Sequence, residues 1–447
     1  MLTDTLIAYG LLVAALVVGY IFVKLPIIRK AYLPASVAAG LLLLALGPQL
    51  LGEIPKEYYG TWSPLPALLI NVVFAGLFLA RPLISLKRMW QVASPQAAFG
   101  QTIAWGYYAL GGLVTLFILI PLFQASPLTA ALIEVSFEGG HGTAAGMIPV
   151  FHELNFAAGQ EITVALATTS LVCALVSGFI LISWGRRRGH FKEGGPVEKI
   201  QNKIYHRRII HELKQKGVQL REEITIGRFV SHIVLIAVAV GLGLLTHWLL
   251  LQIENAWWGQ NGVKVFGYMP VFTFCMFGGM AAQIIWTKFK WHVSRPVVEL
   301  ICAAALSILI VTAIGTMSLD FISRDGWIFV ILAATGVLWV LFCFLVLGRF
   351  MFKKHWFSNA IVSAGQSMGT TATGLLFAQI VDPKQRTGAV ESFGYKQLLF
   401  EPFMGGGVVT ALSMPAIVLL GLPLFTTIAG AFCLFWLLAG LLYFGRR

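Results

Sequence analysis

Charge is scarce in this sequence, and negative charge scarcest: of 447 residues only 19 are Asp or Glu, and all charged residues together make up 11%, against about 25% in a soluble globular domain. A chain that is also 58% hydrophobic cannot cover its own apolar surface in water. Cysteine is sparse too. Cys173, Cys275, Cys302, Cys343 and Cys433 all fall in apolar stretches, with no C-x-x-C pair and no metal-ligand spacing, which leaves them as small packing residues. The sequence has no G-x-x-x-x-G-K-[ST], hence no sign of ATP-driven transport, and His152-Glu153 is not the H-E-x-x-H of a zinc enzyme.

Long apolar runs, by contrast, are abundant. Crossing the hydrocarbon takes about 20 apolar residues, and eleven stretches approach that length: 5–23, 32–51, 65–86, 97–123, 162–183, 229–251, 268–287, 297–317, 327–347, 400–420 and 424–444. The first lacks a basic n-region and a cleavage site and is read as a retained helix. The expectation is an all-α polytopic membrane protein.

The net charge of +13 is concentrated. Between Arg186 and Arg228 twelve Lys and Arg face five Glu, and the positive-inside rule makes this linker cytoplasmic rather than a nucleic-acid surface. Lys24, Arg29, Lys30, Lys87, Arg88, Lys288, Lys290, Lys353, Lys354, Arg446 and Arg447 then fall on the same side. The expected topology has the N-terminus outside and the C-terminus inside, in a bacterial cytoplasmic (inner) membrane. Within the linker, Ile200, Ile204, Ile209, Ile210 and Leu213 read either as an amphipathic surface helix or as part of a solvated linker.

The spans repeat. The first and sixth begin at Thr5 and Phe229, 224 residues apart, and two Gly-rich segments begin at Gly139 and Gly365, 226 apart. Tyr32-Leu33-Pro34 and Tyr268-Met269-Pro270 open matching spans. Five spans per half is odd, so the second half enters the membrane inverted, as in many secondary transporters. The expected organisation is a first repeat at 1–185 with a hairpin at 127–154, a basic linker at 186–228, a second repeat at 229–422 with a hairpin at 355–383, and an extra C-terminal transmembrane helix at 423–447.

In each hairpin two short apolar pieces flank a glycine break. A ten-residue helix reaches about 15 Å, half the hydrocarbon thickness, so both breaks belong near the midplane, one entered from each side. Irregular backbone survives there only in protein or beside a water-filled cavity. Thr143 and Thr370 follow the glycines as N-caps would, pointing amides and positive helix ends at an anion. Ser367, Thr371 and Thr373, with freed carbonyls, supply oxygen ligands suited to sodium. The candidate binding residues are Gly139, Gly140, His141, Gly142, Thr143, Gly365, Gln366, Ser367, Gly369, Thr370, Thr371 and Thr373. Glu138 stands beside the first glycine pair as a possible cation ligand, while Asn71 and Glu299 are polar groups inside apolar spans, a costly placement.

Gly139-Gly140-His141-Gly142-Thr143-Ala144-Ala145 is similar to the re-entrant signature of the sodium/glutamate symporter family, and 365–373 resembles that family's second loop. The resemblance covers nearly the whole chain and implies two inverted five-span halves with a pore loop in each. It also implies sodium, the coupling ion, driving uptake of L-glutamate or a similar anionic amino acid or dicarboxylate, by an elevator-type homodimer in the lipid bilayer like the related hydroxycarboxylate transporters. Gln366-Ser367-Met368, the long basic linker and the eleventh span depart from the pattern. The alternatives are a sodium-coupled citrate or malate symporter, an ion channel built on the Gly-rich loops, and an intramembrane serine hydrolase using the G-x-S-x-G at Gly365 to Gly369. Because that motif lacks a strand-turn-helix setting, the chain is not expected to be an enzyme.

Overall fold

Twelve residues of helix span only about 18 Å, and this arithmetic separates two kinds of helix in the computed structural model of the protein. The structure describes residues 2–25, 34–80, 86–191, 226–259, 264–289, 291, 293–383 and 385–445. Among these residues the chain is helical and has no strand. Seven helices are long and apolar enough to cross a membrane: Asp4–Phe22, Met89–Phe123, Ala157–Arg187, Gly227–Trp257, Arg295–Gly315, Phe321–Met351 and Leu422–Phe444. The other four expected spans are shorter. Ala35–Leu46 and Leu65–Gly76 have 12 residues each, Val271–Lys288 has 18 and Val408–Leu420 has 13. Prolines at 34, 64 and 270 stand at the N-caps of the first three, where a missing N–H costs nothing. The fourth starts late because Gly405, Gly406 and Gly407 interrupt 400–420, the first two at φ of 68° and 109°. The amphipathic reading of the basic linker lies outside the described residues.

The chain divides into two compact units, and each takes segments from both halves of the sequence. One comprises Met1–Pro82, His141–Thr168 and Gln219–Gly326; the other comprises Leu83–Gly140, Thr169–Val218 and Trp327–Arg447.

The first unit is held by backbone-close helix packing. A Cβ at Gly279 would sit 2.0 Å from the Ala75 carbonyl oxygen, one at Gly278 2.2 Å from that of Ala239, and one at Gly40 2.8 Å from the Ile314 Cβ. In a membrane, where apolar burial gives helices little reason to associate, such contacts supply much of the packing energy. Arg295 caps the Leu65–Gly76 end by donating from Nη1 to the Leu79 carbonyl (2.7 Å), while its Nε pairs with Glu299 at 2.9 Å. Glu299 is therefore a partly exposed ion-pair partner. Asn71 donates to the Ala67 carbonyl at 3.1 Å within its own helix.

The second unit is built around Leu86–Val114. Gly106 admits the Trp339 ring and Gly112 the Thr426 side chain, and Trp339 Nε1 donates to the Ile103 carbonyl at 3.0 Å. Two shorter helices, Trp356–Met368 and Thr371–Val381, form a pair joined by Gly369 and Thr370. They pack at backbone distance: a Cβ at Gly374 would meet the Val362 carbonyl at 2.5 Å and one at Gly365 the Gly374 Cα at 3.2 Å. At 13 and 11 residues the arms reach about 20 and 16 Å, short of the roughly 30 Å hydrocarbon core.

Candidate functional site

The break in the 355–383 hairpin is narrower than its glycine spacing suggests. Gly365, Gln366, Ser367 and Met368 remain helical, and only Gly369 and Thr370 leave the helix, Gly369 with φ −122° and ψ −104°. Thr370 is the N-cap of the second arm, its hydroxyl oxygen accepting from the Thr373 N–H at 3.2 Å. That Oγ also lies 3.1 Å from Thr373 Oγ1. Thr370 and Thr371 are exposed while Thr373 is buried. The open end of this arm therefore offers its amides to an exposed surface, the polarity that favours an anion.

The first glycine break is organised differently. Glu138 and Gly139 form the turn after Leu132–Phe137, and Gly140, at φ 62°, opens Gly140–Gly146. Thr143 is inside that helix and fully buried, so it is not the N-cap expected from the sequence. The glycine, having no Cβ, resumes the helix directly from a left-handed conformation. His141 is 5% exposed, and its Nε2 lies 2.9 Å from Thr168 Oγ1. Because Thr168 gives its own proton to the Val164 carbonyl at 3.0 Å, the imidazole nitrogen is the donor to it. His141, Gly142 and Thr143 belong to the first compact unit, whereas Gly139, Gly140 and all the candidate residues from Gly365 to Thr373 belong to the second.

Within the second unit a buried polar chain runs through the hairpin. Gln366 Nε2 donates to Glu138 Oε2 at 2.7 Å, and Lys396 Nζ donates to Gln366 Oε1 at 2.6 Å and to Gln397 Oε1 at 2.9 Å. Gln397 Nε2 continues to Thr371 Oγ1 (3.0 Å) and Glu401 Oε1 (3.2 Å). Lys396 is fully buried, and its ammonium lies 3.8 Å from the centroid of the Phe400 ring. Gly100 makes room for it, since a Cβ there would stand 2.4 Å from Lys396 Cε. An ammonium removed from water is tolerable only when paired and hydrogen-bonded. Here two amide oxygens and a ring face do that work, and the carboxylates of Glu138 and Glu401 supply the opposite charge.

Three buried atoms in this region fall outside the hydrogen bonds of the chain: Glu138 Oε1, Ser367 Oγ and Glu401 Oε2; the Ser367 hydroxyl faces the Glu138 carboxylate. The Ser367 carbonyl is engaged, accepting from Tyr107 Oη at 2.7 Å. A second buried carboxylate lies nearby in sequence. Glu134 accepts from Tyr108 Oη at 2.5 Å on one oxygen, and from the Gly405 N–H and Thr410 Oγ1, both at 2.9 Å, on the other. It thereby ties the glycine break at 405–407 to the 127–154 segment. No cluster of three or more His, Cys, Asp or Glu suited to a transition metal occurs among the described residues. The polar atoms beside the break are hydroxyl, carbonyl and carboxylate oxygens, the donor type suited to hard cations.

The family model described as sodium/glutamate symporter matches residues 2–385. The chain belongs to the sodium/glutamate symporter family. It is an integral membrane protein of a transporter family and not an enzyme. Ser367 accordingly sits inside a helix and not on a nucleophile elbow. No curated protein matches the chain. Lys396, Gln397, Glu401, Gly405 and Thr410 all lie beyond the matched stretch. These and Glu134 escaped sequence reasoning. An ionisable residue in an apolar segment is itself a signal, and Glu134 within Leu132–Phe137 carried it. Lys396 did not, because Glu391, Tyr395 and Gln397 around it read as a polar segment.

Proposed function

We propose that this sodium/glutamate symporter family member carries out sodium-driven uptake of L-glutamate or a closely similar anionic amino acid or dicarboxylate. The observation that carries this is the 355–383 hairpin. Its second arm opens at an exposed, Thr370-capped N-terminus, and the Glu138–Gln366–Lys396 chain runs beside the break. The arm's amides attract the solute's carboxylate, and Ser367, Thr371 and Thr373 with nearby carbonyls hold the sodium ion. Glu138 Oε1 and Ser367 Oγ, both buried and facing each other outside the chain's hydrogen bonds, favour a cation site at their end of the chain.

The arms of the hairpin are each too short to cross, so they re-enter on one side. Together with the interleaving of both sequence halves in each compact unit, this supports two inverted repeats working by an elevator motion; a homodimer in the inner membrane is what the family resemblance implies. The charge bias supports an external N-terminus and internal C-terminus. The deciding experiment is uptake of labelled glutamate into proteoliposomes with and without an inward sodium gradient, with aspartate, citrate and malate as competitors. Accumulation that requires the gradient and is competed by aspartate is expected. Sodium-driven uptake of citrate without glutamate uptake would move the substrate to the hydroxycarboxylates, and downhill flux with no accumulation would make the protein a channel.

A further inference from the structure

Three membrane-length helices end, within the second unit, around one cavity. Met89–Phe123 starts there, and Phe321–Met351 and Leu422–Phe444 finish there. The cavity has a volume of about 780 Å³, and its lining includes Lys87, Trp90, Lys353, Lys354, Tyr443 and Glu391. That is within the range of roughly 300–1,000 Å³ found for small-ligand sites. Because it sits where spans terminate, it lies at the depth of the lipid headgroups and not of the hydrocarbon. Trp and Tyr are the residues that settle at that depth. Trp90 forms a wall, its ring 6.4 Å from that of Trp436 and 6.3 Å from that of Phe444.

The charges at this cavity are three lysines against one glutamate, a net +2. The surface beside it is apolar and open: Tyr443 is 50% exposed, Leu442 53% and Phe350 63%. At the ends of helices of span length, this exposed apolar surface adjoins the boundary between headgroups and acyl chains. A basic, aromatic-rimmed recess that opens onto a lipid-facing surface fits an amphiphile whose polar end is anionic. We infer that the cavity binds the phosphate of an anionic phospholipid, with Lys87, Lys353 and Lys354 as its cationic contacts. A soluble phosphate shares the headgroup chemistry but has no use for the open apolar flank. The lining also includes Asn359 of the hairpin's first arm and Ser392 of the helix that carries Lys396, but Lys87, Lys353 and Lys354 are not members of the Glu138–Gln366–Lys396–Gln397 chain.

The test is native mass spectrometry and thermal unfolding of the full chain in detergent, with added phosphatidylglycerol, phosphatidylcholine or inorganic phosphate. Phosphatidylglycerol should bind and raise the unfolding temperature, while phosphatidylcholine and phosphate should do neither. Each lysine is worth about fivefold in affinity for anionic lipid, so the K87Q/K353Q/K354Q variant should bind phosphatidylglycerol about 100-fold more weakly. Its unfolding temperature in phosphatidylcholine alone reports whether it is folded, and if it is not, the single variants decide, each by about fivefold. Unchanged phosphatidylglycerol affinity in folded variants overturns the assignment. A shift reproduced by inorganic phosphate and not increased by phosphatidylglycerol also overturns it, in favour of a soluble anion.

Discussion

Replacing Lys396 with Met removes the donor on which the buried polar chain turns. The Oε1 atoms of Gln366 and Gln397 then lose the ammonium at 2.6 and 2.9 Å. Each orphaned buried acceptor costs about 1–3 kcal/mol, so about 2–6 kcal/mol together. Glu138 and Glu401 also lose their counter-charge, and breaking a buried pair from one side costs about 3–5 kcal/mol. These are two views of the same loss, so the expected destabilisation is about 3–5 kcal/mol, read by denaturant unfolding in mixed micelles. Glu138→Gln alone leaves Lys396 paired only with Glu401 and should also destabilise. The double variant removes both charges, and its cost should fall short of the sum by about 1–3 kcal/mol. Additivity within about 0.5 kcal/mol, or a K396M protein as stable as its parent, would refute the electrostatic link between the two residues. In sodium-driven uptake, K396M should also shift the sodium concentration for half-maximal rate, because Glu138 is then released from its internal cation.

Gly100→Ala places a Cβ 2.4 Å from Lys396 Cε; a milder version of the K396M defect is expected, and the steric part of it should disappear in a Lys396→Ala background, where no Cε remains. Gly279→Ala should prevent the first unit from assembling, since its Cβ would stand 2.0 Å from the Ala75 carbonyl, with loss of monodisperse protein in size-exclusion chromatography. Gly140→Ala meets no neighbouring atom, and its cost comes only from φ of 62°, about 1–2 kcal/mol by thermal unfolding; Gly140→Asn should recover part of it. Burial pushes the Asp382 carboxyl up, but donation from Thr387 Oγ1 (2.6 Å) and the N–H groups of Thr387 and Arg386 (2.8 and 2.9 Å) outweighs it and holds the group below its usual value. The stability it confers is therefore complete above the unfolded value of about 3.9 and is lost as pH falls through the lower folded one. Asp382→Asn should flatten that acid limb of the stability profile.

Hydrophobic run length determined that this chain belongs in a bilayer, because nothing but lipid hides that much contiguous apolar surface, and the Gly-rich signature at Gly139 to Ala145 pointed to the right family. The glycine at 369 and the threonine after it marked the break and cap of the second hairpin, since only local backbone geometry is involved. Tertiary structure decided the rest. Run length did not reveal that 32–51, 65–86 and 400–420 would yield helices of only 12 or 13 residues, because the first two stop early, at Leu46 before Gly47-Pro48 and at Gly76, and the third starts late, after the glycines at 405–407, without any large drop in hydropathy. Nor did spacing reveal that Thr143 lies inside a helix, which depends on Gly140 adopting positive φ. The Glu138–Gln366–Lys396–Gln397 chain was the least legible feature, since its members are up to 259 positions apart in the sequence. A buried ammonium is recognisable only once the glycine that admits it, the ring it lies against and the amides that receive it have been brought together by folding.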